Sequence, residues 1–177
     1  MIKSIRATEQ DRRLLHGLIE KGIPSTKDQP IDYSGLVVLK PWGYEFQVFD
    51  NGLCCVWFAC LNSGHAVSLH CHQHKKAAFV PLSDGIHLCT LDGLMPLSEC
   101  IAVDAGVFHS QENDTLRDSF FLEYEWPSDK TDIVRLKDRY GRESKGYEGK
   151  NKMIPFATAI DRLNLPDVVK VFLGRAA

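Results

Sequence analysis

His70, His72 and His74 alternate along Ser68-Leu69-His70-Cys71-His72-Gln73-His74-Lys75, and His109 follows in Gly106-Val107-Phe108-His109-Ser110-Gln111-Glu112-Asn113. A β-strand turns successive side chains to opposite faces, so histidines at a spacing of two share one face, roughly 7 Å apart along the backbone. Packing alone gives little reason for three imidazoles on one face beside a turn glycine, whereas a metal ion does. Two or three of these histidines could converge on one ion, and Zn, Mn, Fe and Ni all tolerate imidazole ligands. Three neutral imidazoles would leave such a divalent ion its full charge, making it a stronger Lewis acid than one that shares a carboxylate.

These histidines need strands to aim them. Between Tyr44 and Trp126, short runs rich in Val, Phe, Leu, Cys and Ile are separated by Asn51-Gly52, Ser63-Gly64, Asp84-Gly85, Asp92-Gly93 and Ala105-Gly106. This rhythm predicts eight or nine antiparallel strands closed as a double-sheet jelly roll. Upstream, Thr8 and Asp11 followed by Leu14, Leu15, Leu18 and Ile19 predict a capped amphipathic helix over residues 8–21, ended by Gly22 and Pro24, with a polar connector over 25–34. Downstream of Pro127, the charged run from Asp129 to Lys145 reads as a loop or lid, and Pro166 opens a short C-terminal helix. The expected organisation is an N-terminal helix and connector over 1–33, a barrel over 34–145 and an extension packed on it over 146–177.

The whole is 177 residues with 44% hydrophobic content, enough for one core. A net charge of −2, from 21 basic and 23 acidic residues, gives no field that would favour nucleic acid or an anionic membrane, and a small molecule is the expected partner. The longest apolar run, residues 53–61, falls far short of the roughly 20 residues of a membrane span. Charges at Lys3, Arg6, Glu9, Asp11, Arg12 and Arg13 break any leader-like stretch, so a reducing cytoplasm is expected. The six cysteines have no C-x-x-C spacing and read as small buried thiols.

The histidine segments also resemble the two cupin motifs: a glycine, five residues and His-x-His (Gly64, His70, His72), then glycine, two residues, histidine, three residues, asparagine (Gly106, His109, Asn113). Lys40-Pro41-Trp42-Gly43-Tyr44-Glu45 resembles the R/K-P-W-G segment of the cupin domain of type II mannose-6-phosphate isomerases. Asp132-Ile133-Val134-Arg135-Leu136-Lys137-Asp138-Arg139-Tyr140-Gly141-Arg142 is similar to that family's D-I-V-R-x-x-D-R-Y-G-R signature. The resemblance spans residues 40–142. It implies an all-β cupin double-stranded β-helix with an N-terminal and a short C-terminal helix. It places His70 at a metal-binding glutamine, His72 and His109 at ligand histidines, and Arg142 at the arginine implicated in sugar-phosphate chemistry. Ala77 stands where that pattern has a glutamate; a site can still form from His70, His72 and His109 with open positions for water or substrate, or His74 or Glu123 could replace the lost ligand.

What the resemblance implies is an aldose–ketose isomerase or epimerase of polysaccharide metabolism, acting on a phosphorylated or nucleotide-linked sugar as a homodimer. The base would be His74, Glu123 or Glu125. Lys75, Lys76, Arg135, Arg139 and Arg142 would meet the anionic part of the substrate, guanidinium forks being suited to phosphate oxygens; ion pairs of Arg135 and Arg139 with Asp132 and Asp138 are the structural alternative. Two rival functions stay open, a three-histidine iron dioxygenase and a non-catalytic sugar-binding cupin.

Overall fold

The computed structural model describes residues 2–23, 31–145, 152–163, 165–167 and 169–171. In chain order the elements are β1 (Lys3–Ile5), α1 (Glu9–Glu20), β2 (Leu36–Lys40), β3 (Gly43–Asp50), β4 (Cys55–Leu61), β5 (Leu69–Cys71), β6 (Lys76–Pro81), β7 (Ile86–Thr90), β8 (Gly93–Pro96), β9 (Ile101–Val103), β10 (His109–Asn113), β11 (Ser119–Trp126), β12 (Val134–Lys137), β13 (Met153–Pro155) and α2 (Phe156–Arg162). They form an eight-stranded sheet, β1-β9-β6-β11-β4-β3-β2-β13, facing a five-stranded sheet, β12-β5-β10-β7-β8. The parallel β1–β9 pair departs from the antiparallel pairing of the strands around it.

Strand β4 is buried along its whole length because both faces of the large sheet are covered, which is why Cys55–Leu61 reads as one apolar run instead of alternating. On its outer side Phe58 stacks on Phe46 at 4.9 Å between ring centroids, and Phe156 of α2 meets Phe46 edge-on at 5.7 Å. Ala159, Leu165 and Val169 complete this outer cluster. Phe46 is 1% exposed, and its truncation to Ala would cost about 3–5 kcal/mol. Between the sheets lie Trp42, Leu61, Phe79, Leu88, Ile101 and Phe121.

Helix α1 begins as its sequence predicts. The Thr8 side chain accepts from the Asp11 N–H at 3.1 Å, and the Asp11 carboxylate accepts from the Thr8 N–H at 2.8 Å. Leu14, Leu15 and Leu18 pack on Cys71, Phe108 and Val134, the outer face of the small sheet. Asp11 also accepts the Phe108 N–H at 3.0 Å, tying the helix to the residue before His109.

The all-β double-stranded architecture with flanking helices matches expectation, but several elements differ. The charged stretch after Pro127 contains β12, which pairs with β5 because Val134 points outward into the α1 cluster while the charged neighbour Arg135 points inward. Strands β1 and β13 and helix α2 carry no legible signal. Past Pro166, Asp167 and residues 169–171 are helical, Val169 and Lys170 bonding back to the Pro166 carbonyl. The expected connector over 25–34 lies outside the described residues up to position 30, as do Gly146 and Gly149 of the charged run. Trp126 is 39% exposed, whereas Trp42 and Tyr44 are buried anchors. Among the described residues no helix is long and apolar enough to cross a membrane.

One glycine shapes the mouth of the barrel. Gly43 closes the β2–β3 hairpin at φ +149°, and a Cβ there would lie 2.0 Å from the Cys60 carbonyl oxygen, so only glycine lets the hairpin lie against β4.

Candidate metal centre

His70 and His109 are direct cross-strand partners on β5 and β10, which puts both rings on the inner face. His72 follows just beyond the end of β5. Ring centroids are 5.0 Å apart for His70 and His72, 4.7 Å for His70 and His109, and 5.3 Å for His72 and His109. One nitrogen from each lies within 4.8 Å of the others.

Each ring is oriented by a main-chain carbonyl. Nδ1 of His70 meets the Ser68 oxygen at 2.7 Å, that of His72 the Asp132 oxygen at 2.5 Å, and that of His109 the Val107 oxygen at 2.9 Å. A carbonyl only accepts, so Nδ1 carries the proton and each Nε2 offers a lone pair. The Nε2 atoms of His72 and His109 are buried with no partner. Burial lowers all three pKa values, to about 4 for His109 and well below the ordinary range for His70 and His72, so the rings are neutral at pH 7. Three neutral imidazoles, each fixed by a carbonyl and converging lone pairs, fit a divalent metal ion.

Asp132 supports His72 twice. Beyond the carbonyl contact, its carboxylate accepts three successive N–H groups of the β5–β6 turn, from Gln73 at 2.7 Å, His74 at 2.8 Å and Lys75 at 2.9 Å.

Facing the histidines, β11 contributes Glu123 and Glu125, whose oxygens come within 4.8 Å of a His72 nitrogen. Glu125 is fully engaged: Lys75 Nζ donates to Oε1 at 2.6 Å and the Cys55 thiol to Oε2 at 3.3 Å. Burial pushes Glu125 up, but Lys130 and Lys75 outweigh it and hold its pKa at about 2. Glu123 has Lys130 only at 3.9 Å, and burial raises its pKa to about 7. A chain of buried ion pairs continues from Glu125 to Lys130 at 3.4 Å, Glu45 at 3.6 Å and Lys40 at 3.7 Å. Lys130 also lies 4.1 Å over the Trp57 ring. Burial, and then the nearby Lys130, Arg135 and Arg142, lower the Lys40 pKa to about 8 despite Glu45.

These groups surround a cavity of about 40 Å³. His70, His72, Lys75, Glu123, Glu125, Arg135 and Arg142 line it, and His109 packs against His70 and His72. The Arg142 fork is already taken, with Nε donating to Asp138 at 2.8 Å and Nη2 at 2.6 Å. Arg135 donates to Ser68 Oγ at 3.2 Å and to the Lys145 carbonyl at 2.6 Å. Asp138, which the sequence offered as a partner for Arg135 or Arg139, is thus held by Arg142.

Three expected site residues are elsewhere. His74 is exposed, because β5 stops at Cys71 and strand alternation ends before reaching it. Lys76 points away from its neighbour Lys75 and pairs with Asp104 at 2.8 Å on the outside. Arg139 is half-exposed and bonded to Glu112 at 3.1 Å. Sequence reasoning passed over Lys40, Glu45, Lys130 and Gln111. Of these only Gln111 had a local signal, its spacing of two from His109.

No protein-family model matches the sequence, and no curated protein matches it. Solved structures do. The capsular polysaccharide assembling protein CapF of Staphylococcus aureus aligns at TM-score 0.50 and 15% identity over 64% of this chain and 34% of its own. A Klebsiella pneumoniae protein with a double-stranded β-helix domain aligns at 0.48 and 13% over 65% and 95%. A sugar phosphate isomerase of the cupin superfamily from Silicibacter pomeroyi aligns at 0.45 and 19% over 53% and 60%. The chain thus spans about a third of CapF and less than two thirds of that isomerase. The two facing sheets and their strand order, with the likeness to CapF at TM-score 0.50, give the chain a double-stranded β-helix fold.

Proposed function

We propose that the chain is a metal-dependent cupin that acts on a phosphorylated or nucleotide-linked sugar, as an aldose–ketose isomerase or epimerase of polysaccharide metabolism, in a homodimer. The observation that carries the reading is Glu123: a carboxyl with a pKa raised to about 7, beside His72 and opposite a wall of buried cations. A general base is most effective when its pKa lies near the working pH. The resemblance of residues 132–142 to a sugar-phosphate isomerase signature points the same way.

A divalent ion held by His70, His72 and His109 would supply Lewis acidity toward a substrate carbonyl. Glu123 takes the proton from the hydroxyl-bearing carbon beside that carbonyl and returns it to the former carbonyl carbon, while the hydroxyl proton passes from the one oxygen to the other, so no net proton is gained or lost. Glu125, held ionised by Lys75 and Lys130, keeps its charge and helps to keep the Glu123 pKa high. Arg135 and Arg142 meet the anionic group. An incoming phosphate competes with Asp138 for the Arg142 fork. The alanine at position 77, which leaves three histidines without the usual glutamate, favours the three-histidine dioxygenase as a second reading.

The test is proton exchange: metal-loaded protein with mannose 6-phosphate in deuterated water, followed by NMR, beside oxygen consumption with the iron-loaded form. Deuterium at the carbon next to the carbonyl, lost in Glu123→Gln, supports the isomerase. Oxygen uptake without deuterium incorporation replaces it with the dioxygenase, and ligand binding without either leaves a binding protein.

A further inference from the structure

Gln111 lies two residues beyond His109 on β10, so both side chains point into the barrel. It is 2% exposed and lines the same cavity as His70 and His72. Its amide nitrogen is buried without a hydrogen-bond partner. Its main chain is already paired, the carbonyl accepting from Val67 N–H at 2.9 Å.

The next inward side chain on the strand shows what a structural carboxamide looks like here. Asn113 donates to the Leu61 carbonyl at 2.9 Å and the Arg117 carbonyl at 2.7 Å, and accepts from Thr115 at 3.0 Å and 2.8 Å. Gln111, by contrast, faces the apolar Leu88 across β7. A buried donor without an acceptor keeps its desolvation cost and gains nothing, and a leucine or methionine would fill the volume without that cost. Retaining such a group beside converging lone pairs makes sense if a bound molecule supplies the acceptor.

We propose that Gln111 is a substrate-binding residue whose amide N–H donates to an oxygen of a polyhydroxylated or α-hydroxycarbonyl ligand seated against the three histidines. The inference rests on reading this cavity as the substrate site. It adds a neutral, orienting contact to the charged ones, one that selects for an acceptor oxygen at that position.

The experiment compares wild type with Gln111→Leu and the less bulky-headed Gln111→Met, by thermal unfolding of the metal-free proteins, Co(II) titration followed by the visible spectrum, and binding of acetohydroxamate to the Co(II) forms. Acetohydroxamate is a small oxygen ligand that presents the oxygen pair of an enediolate. The proposal predicts a melting temperature unchanged or raised by about 2–4 °C, unchanged Co(II) affinity, and acetohydroxamate binding weakened at least tenfold. A lower melting temperature in both variants, or undiminished acetohydroxamate binding, overturns it in favour of a packing role. Failure of wild type to bind Co(II) sinks the metal reading instead. Gln111 is then judged by the melting temperatures and by calorimetry with mannose 6-phosphate, where equal binding by wild type and variants counts against it.

Discussion

Ala77 on β6 and Glu125 on β11 are direct cross-strand partners on the inner face of the barrel. The position where the cupin-like motif leads one to expect a carboxylate is an alanine, and the carboxylate stands on the neighbouring strand. It is not free there, because Lys75 holds it at 2.6 Å with both side chains 1% exposed. Glu123, opposite Phe79, is the less engaged of the two glutamates and the one available for proton transfer.

Lys75→Met or Glu125→Leu alone should destabilise the protein by about 3–5 kcal/mol, since Glu125→Leu leaves the buried Lys75 charge without its partner and Lys75→Met leaves Glu125 only the more distant Lys130 at 3.4 Å. The double change to Lys75→Met and Glu125→Leu should cost much less, with Lys130 still held by Glu45 and Glu123. Denaturant unfolding of the four proteins measures the coupling. Single variants within about 1 kcal/mol of wild type would mean that the pair is not formed in solution.

The two glutamates give opposite pH signatures in the metal-free protein. Glu123 has a folded pKa raised to about 7 from 4.5, so the folded state binds the proton more tightly and stability falls as pH rises from 4.5 to 7. For Glu125 the folded pKa is lowered to about 2, so its contribution is present above 4.5 and is lost as pH falls toward 2. The buried neutral histidines oppose Glu123 over the same range, so the Glu123 contribution is read as a difference: Glu123→Gln should gain stability relative to wild type between pH 4.5 and 7, on the order of 3 kcal/mol, and leave the Glu125 acid limb in place. Equal pH slopes in wild type and Glu123→Gln over that range would contradict the raised Glu123 pKa.

The site is partly legible in the sequence because strand alternation is a local rule. His70 and His109 follow it, and His72 stays close enough to the end of β5 to converge with them. His74 fails because the rule ends with the strand. Lys130 and Glu125 have no such rule: their meeting depends on how the loop after β11 folds back over the barrel and on the register of β6 against β11. Residues 134–137 carry no strand signal because Arg135 and Lys137 break the apolar pattern of a strand whose inward side chain is an arginine. For α1 the capping residues sufficed, whereas α2 has no side-chain cap at its N-terminus to announce it.

Asp132→Asn should weaken metal binding by about 10–100-fold without removing a ligand, because an amide cannot accept all three turn N–H groups and the loosened segment carries the carbonyl that orients His72. Phe46→Leu, on the outer cluster, serves as a comparison that lowers stability while leaving metal affinity unchanged. Equal metal affinity in wild type and Asp132→Asn would count against the support role.

The most direct measurement is elemental metal analysis of protein purified without a histidine tag or chelator, before and after reconstitution with Zn, Mn, Fe or Ni, alongside His72→Ala. A three-histidine centre holds close to one ion per chain in the wild type and little in the variant. Wild-type protein that holds no metal even after reconstitution, or a variant that holds as much, would contradict a three-histidine metal centre.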